Sequence, residues 1–149
     1  LSLFMLSILS CSSDEESDNN TGTEISNNPV SGKLFGKSFQ MNSNKARSAD
    51  IFGNPSVEIY LTAQNLGCEV LGTAGYPVYI VAPRVVGIHT NNVFVTFNDP
   101  DSDDFISLSS GITVEIISLD ETSVVGKVKA ASTSTDSSIN GKFESTFCD

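Results

Sequence analysis

From residue 57 onward, apolar and polar side chains alternate with a period of two. Val57, Ile59 and Leu61 are separated by Glu58, Tyr60 and Thr62, and Val93, Val95 and Phe97 by Phe94 and Thr96. Ile112, Val114 and Ile116 alternate in the same way with Thr113 and Glu115, up to Ile117. A two-residue period places successive side chains on opposite faces of an extended chain, so each run predicts a half-buried strand. Val78-Tyr79-Ile80-Val81-Ala82 is apolar on both faces, which predicts a central strand stopped by Pro83. Upstream, Leu34 to Met41 predicts two short strands about Gly36, and Asn42-Ser43-Asn44-Lys45 predicts a turn. Ala46 to Phe52 is a further extended segment, broken by Gly53-Asn54-Pro55, and Cys68-Glu69-Val70-Leu71 reads as a short edge strand.

Two stretches near the end share an apolar-x-Gly-Lys-apolar pattern: Val124 to Val128 and Ile139 to Phe143. The polar run Ala131 to Ser137 lies between them, so the expectation is an antiparallel hairpin. Its glycines, Gly126 and Gly141, belong on the inward face, where a bulge or a close neighbour leaves no room for a side chain. Phe143 and Phe147 fill that face, while Lys142, Glu144 and Thr146 face water. No window has helical spacing. The chain is therefore expected to be all-β, an antiparallel β-sandwich or small β-barrel of about eight to nine short strands.

The first thirty residues follow another pattern. Residues 1–10 carry Leu1, Leu3, Phe4, Met5, Leu6, Ile8 and Leu9 with no charge. Ten residues would reach about 15 Å as a helix, half of a hydrocarbon core, which suits the apolar part of a secretory signal rather than a spanning helix. Residues 12–30 are mostly Ser, Asn, Asp, Glu and Thr, with Gly22, Ile25 and Pro29, and show no periodicity up to Val30. They read as a flexible acidic tether, 11–30, ahead of a single β domain, 31–149.

At the junction, Ile8-Leu9-Ser10-Cys11 resembles the lipobox of a bacterial lipoprotein. The resemblance implies that Cys11 is lipidated and becomes the N-terminus after cleavage. The protein would then be held to a membrane by its lipid anchor. A basic segment that opens such signals is not seen here; the first Lys or Arg is Lys33. Ser12-Ser13-Asp14-Glu15-Glu16 also resembles the acidic export signal of surface lipoproteins of the Bacteroidota, although a solvated tether explains the same residues. Gly-Lys-Phe and a near-terminal cysteine are similar to small lipoproteins of that group. These resemblances imply an outer-membrane, surface-facing address in the cell envelope and bring no activity.

With Cys11 assigned to lipid, Cys68 and Cys148 remain as an even pair in an oxidising setting, and a disulfide is expected, with two buried thiols as the alternative. Closing about 80 residues would stabilise the fold by roughly 4 kcal/mol in the chain-entropy model. The formal net charge is −10, and Asp14, Glu15, Glu16, Asp18 and Glu24 carry half of it. The eight Lys and Arg are scattered, with no basic stripe, which argues against nucleic acid as a partner.

Candidate chemistry is sparse. His89 is the single histidine and falls in an expected loop, and no nucleophile elbow accompanies it. Glu58, Glu69, Glu115 and Glu144 lie in or near strands and could in principle supply a carboxylate pair. With no Trp and three Tyr, a stacking platform for sugars is poorly supplied. Asp99, Asp101 and Asp103 place oxygen ligands at alternate positions like the start of a calcium loop, but Asp104 and Ser110 stand where such loops carry Gly and Glu. A non-helical Ca²⁺ loop and an acidic turn capped by its own Asp side chains are the two readings. The leading functional expectation is a non-enzymatic binding or structural module with a protein or small-ligand partner; the runner-up is a small envelope hydrolase or ligand-binding barrel.

Overall fold

The computed structural model describes residues 24–73 and 75–148. The expected signal, Cys11 and most of the acidic tether lie outside the described residues. Eleven strands follow in order: β1 Ser31–Leu34, β2 Lys37–Gln40, β3 Ser43–Ile51, β4 Asn54–Thr62, β5 Val78–Pro83, β6 Gly87–His89, β7 Phe94–Asn98, β8 Phe105–Leu108, β9 Thr113–Leu119, β10 Ser123–Ser132 and β11 Ser137–Phe147. They form one sheet, ordered β6-β9-β10-β11-β3-β4-β5-β7-β8, with the β1–β2 hairpin attached to β11. The sheet curls into a half-barrel, so the all-β expectation holds. One junction departs from antiparallel pairing: β11 meets β3 in parallel through Thr146–Lys45 and Phe147–Ala46.

Curling brings two halves of the sheet onto one core. Val57, Ile59 and Leu61 from β4, Val78, Ile80 and Ala82 from β5, and Val95 and Phe97 from β7 face Val114, Ile116, Val128 and Phe143 from the other half. Phe97 and Phe143 are the largest side chains excluded from solvent. This interior is filled by branched and aromatic groups, and that packing is what positions the outer face described below.

The terminal hairpin forms as its repeat predicts, with ten residue pairs between β10 and β11. Gly126 sits at a register shift opposite Phe143. A Cβ there would lie 2.5 Å from the Glu115 carbonyl oxygen and 2.6 Å from the Phe143 ring. Both expected reasons for the glycine, a bulge and a close neighbour, apply at once. At Gly141 a Cβ would strike Val30 at 2.6 Å. Phe147 is only half buried, with the Arg84 guanidinium 5.2 Å from its ring centre.

Several boundaries are corrected. The segment read as tether up to residue 30 is part of the fold from Ile25 on. Ile25 and Val30 are buried, the Ser26 N–H donates to Asn140, and the Lys142 N–H donates to the Asn28 carbonyl. Apolar periodicity was too thin to reveal this, because the segment docks through backbone groups over Gly141. The expected turn at 42–45 is instead the start of β3. Its polar side chains are satisfied from elsewhere: Ser43 donates to the Gln64 carbonyl and Asn44 accepts from Ser145. Cys68–Val70 is a 3-10 turn rather than an edge strand. His89 lies in the short strand β6 and not in a loop, with its Nε2 2.7 Å from the Val85 carbonyl oxygen.

Candidate functional site

Register aligns the outward residues of β3, β4, β5, β7 and β8 into rows. Lys45, Tyr60, Tyr79, Thr96 and Ser107 lie side by side across the five strands. Two residues along, Arg47, Glu58, Val81 and Phe94 form a second row. Polar residues in half of a period-two pattern normally mark a wet face, yet Glu58, Tyr60 and Thr62 are all buried. Glu58 is covered by its own partners, and Tyr60 and Thr62 by the segment that follows β4, chiefly Gly75 and Tyr76. Thr62 donates to the Gly75 carbonyl, and Tyr76 donates to the carbonyls of Leu66 and Gly67. The disulfide between Cys68 and Cys148, with Cα atoms 5.6 Å apart, fastens this segment to the end of the chain. Cys148 in turn donates its N–H to the Ala46 carbonyl, beside Arg47.

Glu58 is the hub of the outer face. Its Oε2 accepts from Arg47 Nε at 2.9 Å, Arg47 Nη2 at 2.7 Å and the Tyr60 hydroxyl at 3.0 Å. Its Oε1 accepts from the Tyr79 hydroxyl at 2.6 Å. Burial alone would push the Glu58 carboxyl up, but the hydrogen bonds from Tyr79, Arg47 and Tyr60 together hold it below its ordinary value. The phenols respond in the opposite sense. Burial first, and donation to Glu58 second, push Tyr60 up to about 12 and Tyr79 higher still. Burial also raises Tyr76.

Above this hub opens a cleft of about 360 Å³. Tyr60, Tyr79, Thr96 and Asn98 floor it, Phe105 from β8 stands at one side, and Gly72, Thr73 and Tyr76 form the other. All three tyrosines of the chain converge here. Tyr60 and Tyr79 have ring centres 5.1 Å apart, and Tyr76 meets Tyr60 edge-on at 6.1 Å. Three residues spread over twenty positions come together once β4 and β5 pair, but Tyr60 and Tyr76 are buried, so the open ring surface is that of the half-buried Tyr79 and the exposed Phe105. A second hollow of about 220 Å³ continues from Gly72, Thr73 and Asn98 to Asp99, Ser102, Asp103 and Asp104.

The structure does not assemble Asp99, Asp101 and Asp103 around a common point. Lys37 from β2 takes Asp99 at 2.9 Å and Asp101 at 2.5 Å. Asp99 also accepts from the Asp101 N–H at 3.0 Å and the Ser102 hydroxyl at 3.1 Å. The Asp101 N–H and then the Lys37 ammonium hold its carboxyl below the usual range. This is the self-capped acidic turn, and the calcium-loop reading is not met. Among the described residues, no three His, Cys, Asp or Glu side chains converge as a metal set.

The four strand-associated glutamates sit apart in the fold, on β4, the 3-10 turn, β9 and β11. Glu58 is saturated by its partners, and Glu115 lies 3.9 Å from Lys127. His89 belongs to the opposite half of the sheet, paired with β9. No protein-family model, no curated protein and no solved structure matches the chain.

Proposed function

We propose that this chain is the folded part of a lipid-anchored lipoprotein of the bacterial envelope, and that it binds a ligand without transforming it, at the cleft of the three tyrosines. The observation that carries the binding role is a cleft above a filled interior that presents the half-buried Tyr79 and the exposed Phe105, with Tyr60 and Tyr76 buried behind them. Phe105 is 65 % exposed and presents its ring to solvent. Large exposed aromatic groups beside a concavity mark recognition surfaces more often than packing. The carboxylate nearest the cleft is held ionised and fully engaged, which suits a scaffold and not a proton shuttle. Support for the address comes from the likeness of Ile8-Leu9-Ser10-Cys11 to a lipobox, and from a disulfide of the kind exported domains use. Cys11 is then the lipidation site, the outer membrane the destination, and the acidic stretch after it a spacer.

Two measurements test this reading. The chain with its leader, expressed in a bacterium fed a labelled fatty acid, incorporates label that Cys11→Ala abolishes; an unlabelled chain would remove the anchor. Because the protein has no Trp, its intrinsic fluorescence comes from the cleft tyrosines alone. A panel of envelope glycans, amines and peptides therefore includes at least one ligand that changes this signal and loses affinity on Phe105→Ala. A panel with no such ligand would overturn the cleft as a binding site.

A further inference from the structure

Most hydroxyl donors lining the cleft are turned to partners within the fold. Tyr79 donates to Glu58, and Tyr76 donates to the Leu66 and Gly67 carbonyls. Thr73 donates to the Val70 carbonyl at 2.7 Å, Thr96 and Ser107 share a bond of 2.7 Å, and the Asn98 amide donates to the Pro77 carbonyl at 3.3 Å. The ring surface open to a bound molecule is that of Tyr79 and Phe105, with few donors turned toward it. At its far end the cleft runs into the acidic hollow through Gly72, Thr73 and Asn98. There Lys37 balances Asp99 and Asp101, while among the described residues no ion pair reaches the exposed Asp103 and Asp104. Among the described residues, no cationic side chain lines either space, and Lys37 reaches the second hollow only through its bond to Asp99.

We propose that the cleft takes a small organic cation, a protonated amine on a ring-shaped or alkyl body. The body lies across Tyr79 and Phe105, and the ammonium points to Asp103 and Asp104. This deepens the binding role proposed above and rests on it. Ring faces attract cations through their quadrupole, and a phenol that donates its proton toward a carboxylate has a more electron-rich ring. Tyr79, which lines the cleft, donates in this way to the ionised Glu58. The two rim carboxylates supply a second attraction of the same sign, and the chain's net charge of −10 favours the approach of cations over anions. A neutral sugar, in contrast, needs directional donors, and most hydroxyl donors of the cleft are already turned inward.

The test uses paired probes that differ in the amine: phenethylamine against phenethyl alcohol, and glucosamine against glucose. Affinity is read from tyrosine fluorescence and from backbone amide shifts of Thr96 and Phe105. At low salt each amine is expected to bind at least tenfold more tightly than its neutral counterpart. The double variant D103N/D104N, on an exposed loop, keeps the far-ultraviolet circular dichroism of the parent and removes that preference. Whichever amine binds more tightly identifies the body, aromatic or amino sugar. Equal affinity for an amine and its neutral counterpart, or a preference that survives D103N/D104N, overturns the cation inference and leaves the cleft a binding site. If none of the four probes binds, the inference also fails, while the wider panel still decides the cleft itself.

Discussion

Glu58 and Asp99 keep similar company in different ways. Each is an ionised carboxylate that accepts from one basic side chain and from hydroxyl or amide donors. Around Asp99 most of those donors come from its own loop: the Asp101 N–H and the Ser102 hydroxyl lie two and three residues on. Around Glu58 two of the three donor residues come from other strands, Arg47 on β3 and Tyr79 on β5, with Tyr60 as its neighbour along β4. Asp99 thus shapes one turn, whereas Glu58 stitches three strands and supports the tyrosine floor. The difference is between local and tertiary order, and the consequences of removing each side chain should differ accordingly.

The sharpest way to stress the Glu58 side leaves the carboxylate untouched. Cys68 belongs to the stretch that holds Tyr76 against Tyr60, a donor to Glu58, and Cys148 follows the last strand against β3. Replacing both by Ser frees a loop spanning 80 positions and is expected to cost about 4 kcal/mol in urea unfolding. The loss should also expose Tyr60 and Tyr76, so that tyrosinate absorbance appears at lower pH than in the parent. A variant with parental stability and parental tyrosine titration would show that the cover stays closed without its bond, and that the Glu58 hub is self-sufficient.

A smaller effect follows from the hub itself. Glu58→Gln leaves the Arg47 guanidinium facing an amide and is expected to cost about 2 kcal/mol. The figure is below that of a fully buried pair because the Arg47 side chain is 50 % exposed and can turn to water. The pH profile carries the same signature. Glu58 titrates below its ordinary value of 4.5 when folded, so its contribution is complete above that value and is lost as pH falls through the depressed folded one. Tyr60 is raised from 10.0 to about 12, so its contribution is complete below pH 10 and is lost as pH rises from 10 toward 12. Stability therefore declines at both ends, and Glu58→Gln should flatten the acid decline relative to the parent. An acid limb unchanged by the substitution would assign it to other carboxylates.

The same division explains what could be read from the chain alone. The strands β4, β5, β7 and β9 and the β10–β11 hairpin were legible because a period of two records burial directly. The acidic turn was legible as one of two readings, since an Asp that caps its own loop needs only neighbours in sequence. The hub was not. Glu58 and Tyr79 are twenty-one positions apart and meet diagonally only because Glu58 stands opposite Val81. Nothing in period or composition fixes that register. β8 escaped notice for a related reason: Phe105-Ile106-Ser107-Leu108 is four residues long and follows an acidic loop, and its identity as a strand comes from pairing with β7. Likewise the polar opening of β3 becomes a strand because β4 pairs with it throughout, against any local preference of Ser43, Asn44 and Lys45 for a turn.

The weakest perturbation should be on the Asp99 side, and it bears most directly on whether local and tertiary carboxylates differ. Lys37→Gln removes the cation from both Asp99 and Asp101 but leaves the Asp101 N–H and the Ser102 hydroxyl on Asp99. Lys37 is itself held above its ordinary range by its bonds to Asp101 and then Asp99, in a setting where water screens each partner. The urea midpoint of Lys37→Gln is therefore expected to stay within error of the parent, and the small difference that low salt allows should vanish as salt is added. Calcium added to the parent should likewise leave the melting temperature unchanged, because the ammonium already sits between the two carboxylates a cation would need. A loss from Lys37→Gln as large as that from Glu58→Gln would mean that the turn, too, carries tertiary order. The β1–β2 hairpin would then have to be counted as part of the support of the cleft, through the Lys37 side chain that reaches from it to the acidic rim.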